Sequence, residues 1–172
     1  MNKEQLAQRI KEVAYLEGEF TLRSGRKSNY YLDKYLFETQ PDILEALGAK
    51  FAEHVSDDTT LIAGAELGGV SLAAVTSLQS RLPYVIIRNK MKDYGTGKPF
   101  EGNLNDGETV LLVEDIATSG GQVLEAAKVI AERGARVEKI VAVIDRMEGA
   151  RENIEAAGFA FESLLTKSDL GI

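Results

Sequence analysis

The thirteen residues from Thr109 to Gly121 constrain this chain more than any other stretch. Thr109-Val110-Leu111-Leu112-Val113 is an unbroken apolar or β-branched run, the pattern of a parallel strand buried on both faces. Two carboxylates, Glu114 and Asp115, follow at its C-terminal end, where open α/β sheets bind ligands. Then come Ile116, Ala117, Thr118, Ser119, Gly120 and Gly121, before Gln122 to Ile130 take up a helical pattern. A strand, a short polar loop and a helix N-terminus present free backbone N–H groups and the positive end of a helix dipole. Thr118 and Ser119 add hydroxyl donors suited to phosphate oxygens. Glu114 and Asp115 suit vicinal sugar hydroxyls, which donate to carboxylates. One loop thus offers half a site for a sugar and half for its phosphate.

Other glycine-rich phosphate motifs are excluded. Gly95-Thr96-Gly97-Lys98-Pro99 has neither the spacing of a P-loop nor Ser or Thr after its Lys. Glu66-Leu67-Gly68-Gly69 follows the apolar run Leu61 to Ala65 but lacks the Gly-x-Gly-x-x-Gly of a dinucleotide site. With no cysteine, the chain has no disulfide framework, thiolate metal site or thiol nucleophile. The first residues lack the apolar core of a signal peptide, and no apolar run approaches the ~18 residues of a membrane span, so a cytoplasmic protein is expected. Twenty basic against 27 acidic residues give a net charge of −7, which argues against a general nucleic-acid binder. An anionic ligand therefore needs its cations gathered locally.

They are gathered in two places. Arg23, Arg26 and Lys27 lie in a Ser/Gly turn between Phe20 and the pair Tyr30-Tyr31, read as two short strands. Arg88, Lys90, Lys92 and Lys98 lie in a glycine-rich segment without apolar period, read as a mobile loop after the strand Pro83 to Ile87. Beside a site for a phosphorylated ligand, a basic loop can close, exclude water and neutralise charge. The remaining pattern predicts an amphipathic helix over 3–17 stopped by Gly18, a helix opened by Gln40-Pro41, and a helix over 70–78. Arg136 to Asp145 predicts a strand ending on Arg146, and a helix over 149–157 and a strand over 159–165 close the chain. The alternation α-ββ-α-β-α-β-loop-β-α-β-α-β implies a mostly parallel central sheet with helices on both faces. His54, the lone histidine, lies beside an apolar helix stripe and lacks the partners of an acid–base site.

Val113 to Gly121 resembles the phosphoribosyl-diphosphate signature of the type I phosphoribosyltransferases. Phe20-Thr21-Leu22-x-Ser24-Gly25-x-x-Ser28-x-Tyr30-Tyr31 and Arg88-x-x-x-Lys92-Asp93-Tyr94-Gly95-x-Gly97 are similar to segments of its orotate branch. That resemblance implies one domain over 1–172 with a type I phosphoribosyltransferase-like fold, residues 1–38 or so forming an N-terminal hood. It also implies the formation of orotidine 5′-monophosphate and diphosphate from orotate and phosphoribosyl diphosphate, a step toward UMP.

In that reading Lys92 and Asp115 are catalytic. Arg88, Lys90, Lys92, Tyr94, Glu114, Asp115, Ile116, Ala117, Thr118, Ser119, Gly120, Gly121 and Gln122 bind phosphoribosyl diphosphate. Thr118, Arg146, Arg23, Tyr30 and Tyr31 hold orotate. Mg²⁺ is the implied cofactor, held mainly by substrate oxygens and water rather than by protein ligands. A homodimer sharing its basic loop across the interface is implied as well, with no nucleic-acid or membrane partner. The chain departs from the pattern at Arg23, often Lys in bacterial members, at Gly68, where many have Lys, at Asn89, often a second Lys, and at Tyr94, often His. Two other readings stay open: a phosphoribosyltransferase for another base, and a non-enzymatic nucleotide-responsive regulator on the same fold.

Overall fold

A computed structural model describes residues 1–21, 25, 27–89 and 97–172. The first helix, α1 (Lys3–Ala14), starts at a capping box in which the Asn2 side chain accepts from the Gln5 backbone N–H and the Gln5 side chain accepts in return. It ends at Ala14, three residues earlier than its periodicity predicts. Tyr15 turns extended and opens β1 (Tyr15–Thr21), which pairs antiparallel with β2 (Lys27–Leu32), Tyr15 opposite Leu32. Gly18 is therefore not a helix stop; it lies within β1, where the register shifts between Glu17 and Phe20. Cross-strand hydrogen bonding overrides a helical pattern that Tyr15, Leu16 and Glu17 could have continued.

A five-residue helix, α2 (Lys34–Glu38), follows, capped by the Asp33 side chain accepting from Tyr35 N–H. Then comes α3 (Pro41–Ala52), with Pro41 in its first turn, where a missing N–H costs nothing. The sheet begins with β3 (Leu61–Ala65), α4 (Gly68–Ser80) and β4 (Tyr84–Ile87). A two-residue strand, β5 (Phe100–Glu101), runs antiparallel to β4. After it come β6 (Thr109–Ala117), α5 (Gly121–Glu132), β7 (Arg136–Asp145), α6 (Ala150–Ala156), β8 (Phe161–Thr166) and a 3₁₀ turn, Ser168–Leu170.

Strand order in the six-stranded sheet is β5-β4-β3-β6-β7-β8, parallel except for β5. From β3 the chain steps to β4 on one side, whereas from β6 it steps to β7 and β8 on the other. The order therefore reverses between β3 and β6, and the loops leaving those strands diverge there, opening a ligand crevice. Alternation along β6 feeds two cores. Val110 and Leu112 pack with Val123, Ala127, Ile130 and Ile154 of α5 and α6. Leu111 and Val113 pack with Ile10, Ile43, Leu47, Phe51 and Leu72 of α1, α3 and α4. All these side chains are essentially inaccessible, and each contributes roughly 1.5–3 kcal/mol by burial. The sheet is thus clamped from both sides, and its C-terminal edge is a fixed frame.

Candidate active site

Four connections gather at that edge. The loop from β6 to α5 is only Thr118-Ser119-Gly120, because β6 runs on through Glu114, Asp115, Ile116 and Ala117 before it ends. Ile116 and Ala117, read from sequence as part of the loop, pair with Ile144 and Asp145 of β7. Gly120 caps α5 at φ 80°, a left-handed backbone that favours glycine, and no side chain caps the helix. The Ser119 carbonyl accepts from Asn153 Nδ2 at 2.9 Å, which pins the loop to α6. The first-turn amides of α5 thus face the crevice without a competing cap, a ready anion site.

The β3–α4 connection has the same property. No side chain caps α4 at Leu67, and Gly69 presses on Gly64: a Cβ on Gly64 would run into the Gly69 carbonyl. Only a pair of glycines lets the α4 N-terminus come down so close to the end of β3. Two uncapped helix N-termini thus flank the point where strand order reverses.

Asp115 lies on the β6 face shared with Leu111 and Val113, toward α2 and α4. Its Oδ1 accepts from the Ile116 backbone N–H, and its Oδ2 is 2.6 Å from Lys34 Nζ. Burial alone would lower the Lys34 pKa, but the Asp115 charge raises it overall, which favours the ammonium form. Glu38, one helical turn beyond Lys34, is 4% exposed, and its Oε1 has no hydrogen-bond partner among the described residues. Burial first, and the Asp115 charge second, push Glu38 up to about 8. Glu114 is raised for the same two reasons, and its Oε1 accepts from Asp115 N–H at 3.1 Å. Burial and the Asp115 charge thus both favour the protonated forms of Glu38 and Glu114, while the Lys34 ammonium is held beside Asp115. Lys34 and Glu38 were not found from sequence. Lys34 meets Asp115 across 81 residues of chain, and α2 is too short to show a period.

At the end of β7, Arg146 has its Nη2 3.3 Å from Tyr30 Oη and its guanidinium 5.9 Å from the Tyr30 ring centre. Its Nε donates to Glu148 Oε1 at 3.1 Å. Tyr30 stacks on Tyr15 with centroids 5.5 Å apart, and Lys167 Nζ lies 5.5 Å from its ring centre. Tyr31 points to the other side of β2 and meets Phe20 at 5.6 Å. The adjacent tyrosines thus serve different surroundings, as alternation in a strand requires. On the far side of the crevice, Arg88 Nη1 lies 3.4 Å from Glu101 and 4.0 Å from Glu66, while its buried Nε has no partner among the described residues. Asn89 is tied to Glu66 through both its backbone N–H and its side-chain amide.

Chain comparisons agree with this geometry. A family model described as a phosphoribosyl transferase domain matches residues 37–164. An orotate phosphoribosyltransferase of Halobacterium salinarum is 49% identical over 153 residues, 89% of this chain and 87% of that protein. This chain belongs to the orotate phosphoribosyltransferase family. The orotate phosphoribosyltransferase of Mycobacterium tuberculosis H37Rv is 29% identical and superposes with a TM-score of 0.88 over 99% of both chains. A second structure of that enzyme, in complex with 5-phospho-α-D-ribosyl 1-diphosphate, gives 0.82 at 28% identity over 99% of both chains.

Within this family's fold, the structure gathers Glu114, Asp115, Thr118, Ser119, Gly120, Gly121 and Gln122 at one helix start. It joins Arg146 to Tyr30 but not to Tyr31. Arg23, Lys90, Lys92 and Tyr94 lie outside the described residues. His54 is 3.4 Å from Glu162 of β8, with its pKa lowered by burial, away from the β6–α5 loop. Among the described residues no three His, Asp or Glu side chains converge to hold a metal ion, and Asp115 Oδ2 is engaged by Lys34. Glu114 and Asp115 offer oxygens suited to sugar hydroxyls. No helix among the described residues is long and apolar enough to cross a membrane.

Proposed function

We propose that this protein transfers the 5-phosphoribosyl group of phosphoribosyl diphosphate to N1 of orotate, giving orotidine 5′-monophosphate and diphosphate. The observation that carries this reading is the conjunction at one sheet edge of an uncapped α5 N-terminus, the buried Asp115 and the Arg146–Tyr30 pair. In this reading Thr118 to Gln122 hold the 5′-phosphate, with Ile116 and Ala117 as the end of the strand that positions them. Glu114 and Asp115 receive the ribose hydroxyls. Arg146, with Tyr30, takes the orotate carboxylate or carbonyl edge in the fork geometry that guanidinium provides. Thr118, Arg23 and Tyr31 complete the base side.

As the bond from ribose C1 to the diphosphate oxygen breaks, positive charge gathers at C1 and negative charge on the leaving group. Arg88, Lys90 and Lys92 receive that negative charge, and Tyr94 donates a hydrogen bond to it. Orotate arrives as a carboxylate anion, and as the N1–C1 bond forms its N1 proton leaves to water or to the departing diphosphate, so a site lacking histidine and cysteine suffices. Mg²⁺, bound by substrate oxygens and water, would supply further charge neutralisation on the diphosphate. The reading extends to a cytoplasmic homodimer whose basic loop is shared between the two copies.

The test is to mix the purified protein with phosphoribosyl diphosphate, Mg²⁺ and orotate, uracil or adenine, and to identify the nucleotide formed by mass. Orotidine 5′-monophosphate alone is the expected product. A nucleotide of another base would move the protein to a different branch of the family. Binding of phosphoribosyl diphosphate with no product from any base would favour the regulator. In the active case Lys92→Ala should lose turnover by about 10²-fold or more while phosphoribosyl diphosphate still binds.

A further inference from the structure

The carboxylate proposed to receive the ribose is already occupied. Asp115 has two oxygens: Oδ1 accepts from its own strand at Ile116 N–H, and Oδ2 is held by Lys34 at 2.6 Å. Each oxygen keeps a second lone pair, but Lys34 competes with a ribose hydroxyl for Oδ2 and for its charge, so Asp115 binds the ribose most strongly when Lys34 withdraws. A buried strand end offers such a cation few places to go, because an ammonium without an anionic partner is costly away from water.

Glu38 provides one. It stands four residues after Lys34 on α2, the spacing at which helix side chains meet. It is 4% exposed, and its Oε1 has no hydrogen-bond partner among the described residues. Both acceptors border the same backbone point. A Cβ on Gly68 would collide with Asp115 Oδ2 and lie 3.0 Å from Glu38 Oε1. Lys34 is close enough to Glu38 for its charge to oppose the upward shift that burial imposes there. Lys34 itself keeps part of its side chain in solvent, at 30% exposed, and so has room to turn.

We propose that Lys34 is an exchangeable counter-ion: it rests on Asp115 Oδ2 in the empty site and passes to Glu38 Oε1 when phosphoribosyl diphosphate binds, releasing Asp115 for the ribose hydroxyls. Glu38 is then a positioning residue for the transfer, acting through Lys34. This rests on the functional reading above. It accounts for a buried carboxyl oxygen, Glu38 Oε1, that has no partner among the described residues, a state native structures rarely tolerate. Glu38 can wait there uncharged, because burial favours its protonated form, and it becomes an anion when the ammonium arrives, its proton leaving to water.

The test is a double-mutant cycle read by calorimetric titration of the full-length protein with phosphoribosyl diphosphate and Mg²⁺, alongside steady-state kinetics. In Glu38→Gln, Lys34 has no second anionic seat and stays on Asp115. Affinity for phosphoribosyl diphosphate should fall about tenfold or more, the scale of a charge-assisted hydrogen bond, with kcat at saturation little changed. Adding Lys34→Met removes the competitor, so the double variant should regain most of the affinity lost in Glu38→Gln. A merely structural Glu38 would not be rescued by a second substitution in its own helix. Unchanged affinity in Glu38→Gln, or a double variant no better than the single one, overturns the exchange. A thermal midpoint no lower than the parent's shows that Glu38→Gln is folded; if it is lower, Lys34→Met alone decides, since the exchange predicts tighter or equal binding and a supporting role for Lys34 predicts weaker. A parent protein that binds no phosphoribosyl diphosphate overturns the functional reading, and this exchange with it.

Discussion

Glu38 shows how one buried side chain links stability to pH. Unfolded, it titrates near the ordinary 4.5; folded, burial and Asp115 hold it near 8. Below about 4.5 both states keep the proton and the contribution to stability is complete. Between those values the folded state keeps the proton that the unfolded chain has released, so stability declines as pH rises toward 8. Glu38→Gln removes this titration while preserving the shape of the side chain. Its thermal midpoint, compared with the parent's by calorimetry at a series of pH values, should gain on the order of 5 °C between pH 5 and pH 8. A difference constant across that range would mean that Glu38 is ionised in the folded protein. Burial is the main cause of the shift and the Asp115 charge adds to it, and only the folded structure shows the two groups together.

At the scale of elements, the close approach of α4 to β3 is the most sensitive joint. Gly64→Ala would drive a Cβ into the Gly69 carbonyl oxygen and to 3.0 Å from Ala73 Cβ. Because the clash is with backbone at the head of a helix, it cannot be relieved by a rotamer. We expect a loss of at least about 3 kcal/mol in chemical denaturation, with whatever folded protein remains binding phosphoribosyl diphosphate poorly. The elements themselves were unevenly legible in the sequence. β6 announced itself, since five consecutive apolar or β-branched residues fit few structures other than a strand covered on both faces. Its true end at Ala117 did not, because Ile116 and Ala117 read as the start of the small polar loop while their backbones still pair with Ile144 and Asp145 of β7. α2, β5 and the 3₁₀ turn are each too short to carry a period. The end of α1 was misplaced because Tyr15 leaves the helix for a partner strand that local pattern cannot reveal. The same limit explains the site: Thr118 to Gly121 could be read as a motif, whereas the Lys34–Asp115 pair depends on where α2 lands.

Across the whole molecule, the proposed function places the sugar phosphate and the base on different parts of the fold. The phosphate side is a helix start fixed by the two-sided core and by Asn153 of α6. The base side joins the end of β7 to the β1–β2 hairpin through Arg146 and Tyr30, residues 116 apart in the chain. The hairpin's own sheet has two strands and does not pair with the main sheet, so this contact is part of what seats it over the crevice. Substitutions on one side should therefore leave the other side's affinity largely intact. The most direct measurement is the steady-state kinetics of Arg146→Ala, following orotate absorbance while each substrate is varied in turn. Division of labour predicts that KM for orotate rises by about 10²-fold or that turnover is lost at ordinary orotate concentrations, with the dissociation constant for phosphoribosyl diphosphate unchanged within about twofold. An equal loss of affinity for both substrates, or an orotate KM that does not move, would contradict it.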